Sequence, residues 1–291
     1  MYQNTLRYRN GLYGKIALVL VLLALALYLS QRADLPPNGG SWQGYLLGTA
    51  SLLLIVWLSW LGIRKRRYRS TLGTVQGWTS AHIYLGLSLL VIATLHTAFQ
   101  FGYNIHTLVY GLMCGVIISG IYGLYAYNRV PPAMVKNRGD KPMEAWLDEL
   151  DQIDREAREV AAHCSAEVQS TLASAIQRTS LGRSFWRQLL GRDQSQVELN
   201  GRRSDRVKNI DQHAVTAYLA ERVPETSKRG EAERLQRLLY LVGRRAELLR
   251  HLRRDLSYNA RLRVWLLFHI PLTVALLCGL AAHVVAVFFY W

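Results

Sequence analysis

Residues 80–101 read SAHIYLGLSLLVIATLHTAFQF, a segment without a single Lys, Arg, Asp or Glu. About 20 mostly apolar residues form a helix long enough to cross the hydrocarbon core of a bilayer, so this segment predicts a transmembrane span. It also carries His82 and His96. Ionisable side chains are rare inside spans, because they cost free energy in hydrocarbon unless they find a partner, and they default to a functional hypothesis.

Four other stretches meet the same criterion, and the sequence therefore predicts five spans. The five run over Leu12–Ser30, Tyr45–Ile63, Ser80–Phe101, Leu108–Tyr127 and Val264–Tyr290. The first stretch follows basic residues, as the apolar region of a signal peptide does. Its end lacks a small-residue cleavage site, so we expect it to be retained as a helix.

Charged residues are segregated along the chain. Asp34 is the sole carboxylate before residue 130, and the other acids lie between Asp140 and Asp255. We therefore expect spans one to four in residues 1–128, a basic helical insert in residues 129–263 and span five in residues 264–291. The predicted fold class is all-α: a five-span transmembrane helix bundle with a helical cytoplasmic insert between spans 4 and 5.

The short loops predict how the chain is oriented. The link between spans two and three contains Arg64, Lys65, Arg66, Arg67 and Arg69, and clustered Lys and Arg favour the cytoplasmic side. The N-terminus and the insert are then cytoplasmic, the C-terminus is extracytoplasmic, and we expect the protein in the inner (cytoplasmic) membrane.

The net charge is +15. The same bias toward basic cytoplasmic loops, together with a need to bind anionic membrane lipid, explains it, and the alternative explanation is that the basic surface binds an acidic protein partner. Nucleic acid is not expected as a partner, since the chain has no recognised binding motif for it.

The insert shows mostly helical patterns. Apolar residues recur at helical spacing from Met143 to about Arg178, and Glu231–Arg254 reads as a charged helix that runs on into the last span. Gly182–Gly191 is a short amphipathic piece suited to a membrane surface, and Gln194–Arg206 is expected to be a polar loop. The insert either packs on itself or docks a partner, and the pattern alone favours neither.

Two histidine pairs are the main functional signal. His269 and His283 on span five repeat the 14-residue separation of His82 and His96. Fourteen residues are nearly four helical turns, so both members of a pair share a face, about 21 Å apart. Spans three and five are parallel, which predicts His82 level with His269 near the cytoplasmic side and His96 level with His283 near the outer side.

Two facing imidazoles at one depth suit a haem, which satisfies both rings with iron and fills the space between helices. Small residues that could make room for it are Gly86, Gly111, Gly115, Ser119, Gly123, Ala275 and Gly279. The stripe on span four is equally typical of plain helix packing. A metal ion without haem is the main competitor, although zinc wants four ligands and each level offers two. Histidines that merely pack remain the other alternative.

His106 lies near the outer end of span four, beside Tyr103 and Asn104. It is either an alternative outer ligand, part of a quinone site or an interfacial residue, and the position near a span end favours the interfacial interpretation. The remaining histidines are expected to be surface or structural residues.

At the four paired positions the chain resembles the bis-haem membrane cytochromes b, including the transmembrane domain of the ferric reductase and NADPH oxidase group. That group also places its paired histidines on the third and fifth spans. The resemblance covers a little under half of the chain and implies that His82, His96, His269 and His283 are axial ligands of two b-type haems. The flavin and nicotinamide domains of that group have no counterpart here, and the insert has no glycine-rich dinucleotide fingerprint.

The expected function is transmembrane electron transfer by a cytochrome b subunit rather than by a self-contained enzyme. The expected partners are a cytoplasmic iron–sulfur or flavin protein and an extracytoplasmic cytochrome c or quinone. The alternatives are a terminal reductase acting on ferric iron, quinone or oxygen, and a non-redox membrane scaffold whose insert binds a partner. No span contains an acid, so a carboxylate proton relay through the bilayer is not expected.

Overall fold

The computed structural model describes residues 5–31, 38–67, 73–139, 141–182, 184–225 and 229–290, and these are almost entirely helical. The helices are α1 (Leu12–Leu29), α2 (Trp42–Arg66), α3 (Val75–His96), α4 (Ile105–Arg138), α5 (Met143–Ala161), α6 (Ala166–Gln177), α7 (Phe185–Leu190), α8 (His213–Glu225) and α9 (Arg229–Tyr290). Two strands, β1 (Gln196–Glu198) and β2 (Arg206–Lys208), form an antiparallel pair.

Five of these helices, α1, α2, α3, α4 and α9, are long and apolar enough to cross a membrane. Large apolar side chains cover their outer faces, among them Leu23, Leu53 and Ile118, each more than half exposed. Hydrocarbon is as apolar as leucine, so such faces carry no free-energy cost in lipid. The predicted all-α class with five apolar, membrane-length helices is confirmed.

The span boundaries differ in detail from those predicted. Helix α3 begins at Val75, where the Thr74 hydroxyl caps it by accepting from the Gly77 N–H at 3.1 Å. It ends at His96, because Ala98 and Phe99 adopt left-handed backbone angles that stop the helix before the predicted Phe101. Helix α4 continues well past the predicted end at Tyr127.

The chain divides into two compact units. The membrane unit comprises the residues up to Leu124 and those from Trp265 onward, and it contains α1, α2, α3 and the apolar parts of α4 and α9. The insert unit is Tyr125–Val264.

Helix α3 supplies the centre of the membrane unit. Its Ala81, Leu85 and Leu89 recur every fourth residue, form one face and are buried. The neighbouring helices contribute Ile55, Leu58, Val109, Met113, Leu276 and Leu280 to the same cluster. This packing holds α3 against α2 and against the parts of α4 and α9 that carry the site.

The insert unit has an apolar core of the kind that water-soluble domains have. Helix α5 buries Trp146, Leu150 and Ile153 on one face, and they pack with fully buried leucines of α6, α8 and α9 such as Leu172, Leu219 and Leu249. Burying each leucine removes apolar surface from water and contributes about 1.5–3 kcal/mol. The amphipathic faces of the insert therefore pack against one another to form its core. This is the first of the two interpretations that the sequence pattern allowed.

Three features of the insert can be compared with the sequence patterns. The prediction that the charged helix runs on into the last span is confirmed, since α9 is continuous from Arg229 to Tyr290. The run from Met143 is broken into α5 and α6, because Ser165 caps a new helix. The loop prediction for Gln194–Arg206 is wrong in part: β1 and β2 pair across it, which buries Val197 completely.

Candidate functional site

The four paired histidines all lie in the membrane unit, on α3 and α9. We call His82 and His269 the first pair and His96 and His283 the second pair. The rings of the second pair have their centres 6.3 Å apart, with planes at 82°. The structure thus brings His96 and His283 together, as the 14-residue spacing predicts. His82 and His269 lie on the same two helices, α3 and α9.

Helix α2 orients both histidines of α3. The Nδ1 atom of His82 lies 3.1 Å from the Leu58 carbonyl oxygen, and the Nδ1 atom of His96 lies 2.8 Å from the Gly44 carbonyl oxygen. A carbonyl only accepts hydrogen bonds, so each Nδ1 carries the proton and donates it. The Nε2 atom of each ring then keeps its lone pair.

The two carbonyls repeat the histidine spacing. Gly44 and Leu58 are 14 residues apart on α2, as His96 and His82 are on α3. The order is reversed, as it must be in helices that run antiparallel. One helix therefore presents two acceptors in register with two imidazoles.

Ser119 of α4 orients His269 in the same way. Its Oγ lies 2.8 Å from His269 Nδ1 and donates its own hydrogen to the Val116 carbonyl at 2.7 Å. The hydroxyl oxygen must therefore accept from Nδ1–H, which again leaves the Nε2 lone pair of His269 available. Metal-ligating histidines almost always donate their other ring N–H to an oxygen in this manner.

His283 differs from the other three. Its Nδ1 is buried and has no hydrogen-bond partner among the residues that the structure describes. The His106 ring stands perpendicular to it, with the ring centres 4.6 Å apart. His106, which the sequence favoured as an interfacial residue, is thus a direct neighbour of the second pair.

Gly48 of α2 makes room for a histidine ring, and the sequence analysis did not single it out. A Cβ at this position would lie 2.7 Å from Cε1 of His96. Such a contact is too short for any side chain, so only glycine allows the ring to lie against the α2 backbone. The signal in the sequence was weak, because Gly48 is one of 22 glycines.

Four of the small residues that the sequence did single out can be placed by their neighbours. Gly115 faces Leu272, Gly123 faces Trp265, and Gly279 lies 3.2 Å from Val109 measured from an added Cβ. Gly115 and Gly123 thus serve packing between α4 and α9, the alternative that was left open for span four, and Gly279 packs on α4 as well. A Cβ on Gly86 would meet none of the described residues within 4 Å. Since Gly86 follows His82 by one helical turn, this open space adjoins the first pair.

The donor set fits a haem better than a bare metal ion. Among the described residues, no group of three or more His, Cys, Asp or Glu side chains is arranged to hold a metal ion, whereas tetrahedral zinc needs four ligands. Each pair offers two imidazoles, and a haem would need no more than these two ligands from the protein. His96 and His283, whose ring centres are 6.3 Å apart, would hold one such group.

No family model, curated protein or solved structure matches this chain.

Proposed function

We propose that this protein is a cytochrome b type of membrane subunit that carries electrons across a bilayer. One haem b would be held by His82 and His269, and the other by His96 and His283. The observation that supports this most directly is the orientation of the rings: three of the four imidazoles donate Nδ1–H to an oxygen, which leaves Nε2 free for iron. Bound haem would supply one-electron redox chemistry.

The surrounding residues tune such a site in two ways. The carbonyls of Leu58 and Gly44 and the hydroxyl of Ser119 fix the ring orientation and raise the basicity of the ligand nitrogen. The buried apolar side chains of α3, such as Leu85 and Leu89, keep water away, and the polarity around haem iron is one of the factors that set its potential.

The proposed partners follow from the charge. In the insert unit three buried carboxylates are already paired with arginines; the pairs are Asp154–Arg245, Asp193–Arg253 and Asp255–Arg138. Much of the remaining basic charge is exposed, as in Arg202, Arg203 and Lys208. Such a surface suits an acidic cytoplasmic iron–sulfur or flavin protein, through electrostatic complementarity. The opposite end of the bundle would meet a cytochrome c or a quinone.

A reduced-minus-oxidised absorption spectrum tests the proposal, recorded on detergent-purified protein with haem quantified per chain. We expect two b-type haems per chain. His82→Ala and His96→Ala should each leave one, because each removes an axial ligand from a different pair. His163→Ala is the matched control, since His163 is exposed in the insert unit and should leave both haems in place.

Protein made with an ample haem supply that binds none would refute the proposal. Equal loss in His163→Ala would also contradict it, because haem loss would then reflect general damage. If His82→Ala and His96→Ala both retain two haems, the paired histidines are not the ligands.

A further inference from the structure

One surface of the insert unit is chemically unlike the rest. Helix α7 exposes Trp186 and Leu190, at 58% and 63%. The two are four residues apart and so lie on one face of the helix. The exposed Arg187 lies between them in the sequence and the exposed Arg192 follows them, and residues 180–192 contain three arginines and no acid. A tryptophan and a leucine set among arginines are typical of a segment that lies in the interface of an anionic membrane.

The position of α7 within the insert unit is fixed by helix α9. The buried Arg253 side chain donates to the Ser180 carbonyl at 3.2 Å and to Ser195 Oγ at 3.0 Å, and it pairs with Asp193 at 2.9 Å. These contacts hold both ends of the segment that carries α7.

A second contact lies one turn further along α9. Ser257 Oγ donates to the carbonyl of Leu189, the penultimate residue of α7, at 3.3 Å. The C-cap, Gly191, packs on the same serine. Helix α7 is therefore attached to α9 at a defined residue.

That residue is close to the start of the last apolar span. Val264, where the apolar stretch begins, follows Ser257 by seven residues. Seven residues cover about 10 Å as a helix and no more than about 25 Å when fully stretched. The chain therefore holds the C-terminal end of α7 within about this distance of Val264, where the apolar stretch begins.

We propose that α7 is an interfacial anchor: Trp186 and Leu190 insert into the headgroup region of an anionic bilayer, and Arg187 and Arg192 bind its phosphates. A juxtamembrane Lys or Arg contributes about 1 kcal/mol of attraction to an anionic surface. Trp and Arg at this boundary match the composition of interfacial segments. This inference concerns lipid alone and holds whether or not the histidines bind haem.

Spin labels on the full chain in vesicles test the anchor. Cys114, Cys164 and Cys278 are first replaced by alanine, and a label is then placed by Trp186→Cys or, in a second protein, by Leu190→Cys. Tyr240→Cys is the matched control, because Tyr240 is equally exposed in the insert unit but belongs to α9 far from α7 in sequence. Collisions with oxygen, which concentrates in lipid, are compared with collisions with a water-soluble nickel chelate.

In phosphatidylcholine vesicles that contain phosphatidylglycerol, we expect the labels at 186 and 190 to collide more with oxygen than with the chelate, and the label at 240 to do the reverse. Without phosphatidylglycerol, the labels at 186 and 190 should collide less with oxygen and more with the chelate. The proposal would be overturned if the ratio of oxygen to chelate collisions at 186 and 190 equalled the ratio at 240. Shielding from both reagents would overturn it too, since a protein surface would then cover α7. Unchanged values without phosphatidylglycerol would overturn the role of the arginines.

Discussion

Gly48 is the residue at which the smallest change should have a large effect. Because an added Cβ would lie 2.7 Å from the His96 ring, Gly48→Ala forces the imidazole away from the Gly44 carbonyl. We expect the variant to lose the haem of the second pair and keep that of the first, which halves the haem content per chain. The absorbance of the reduced haem, divided by the protein concentration, gives the number of haems per chain.

Gly62→Ala is the control for this change. Gly62 lies 14 residues further along the same helix, and in the part of the chain that the structure describes a Cβ there meets nothing within 4 Å. Both substitutions therefore have the same effect on helix propensity. Equal haem content in the two variants would show that the close approach at Gly48 is not required.

Ser119 should affect the first pair alone. Ser119→Ala removes one acceptor of His269 Nδ1–H and makes the ligand nitrogen less basic. Loss of such a hydrogen bond typically costs about 10–100-fold in metal affinity, and a less basic ligand raises the reduction potential of one haem. A redox titration that resolves two potentials measures this shift.

Ser88→Ala provides the comparison for Ser119, because the buried Ser88 hydroxyl bonds, among the described residues, only to Leu85 of its own helix. It should leave both potentials unchanged. A shift of both haems by Ser119→Ala would contradict its assignment to the first pair.

Helix α2 shows what the sequence could and could not predict about the site. The pairing of His82 with His269 and of His96 with His283 was predicted from helical periodicity, because 14 residues return to the same face, and the structure places His96 and His283 side by side. The acceptors on α2 could not be found in this way, since every residue has a carbonyl and nothing marks those of Gly44 and Leu58. They depend on the register of two packed helices, which no local pattern encodes.

The same limit applied to the turn after α3. From its sequence position His106 lies ten residues beyond the end of that helix, and an interfacial role was the natural interpretation. The left-handed residues Ala98 and Phe99 reverse the chain there, and His106 comes to lie against His283. In the insert, Ser165 was not recognised as a cap, so one predicted helical run became two helices.

Helix α5 is held to α9 by a buried ion pair that matters more than its exposed neighbour. Asp154 receives Arg245 Nε at 2.6 Å, with both side chains largely buried, whereas Glu156 pairs with Arg237 in an exposed position. Asp154→Ala leaves a buried guanidinium unpaired and should lower the free energy of unfolding by about 3–5 kcal/mol. Glu156→Ala, two residues further along α5, should cost about 0–1 kcal/mol.

Limited proteolysis of the insert in increasing urea compares these two variants with the unmodified protein. Similar midpoints for both variants would show that the Asp154–Arg245 pair contributes no more than a surface contact. The apolar core of the insert unit would then account for its stability alone.

The orientation of the molecule is open to a direct test. The basic residues at the end of α2 predict that the insert lies in the cytoplasm. With the native cysteines replaced, Tyr240→Cys should react with a membrane-impermeant thiol reagent in inverted vesicles and not in intact spheroplasts. The reverse result would invert the assignment of the two histidine pairs to the two membrane faces.

The matched spacing of α2 and α3 also limits how this protein can evolve. Inserting one residue between Gly44 and Leu58, or between His82 and His96, would turn one end of a helix by about 100° relative to the other. One imidazole would keep its carbonyl and the other would lose it. Among descendants of this gene, insertions and deletions should accumulate in the connection between the two helices and be absent from the two 14-residue intervals.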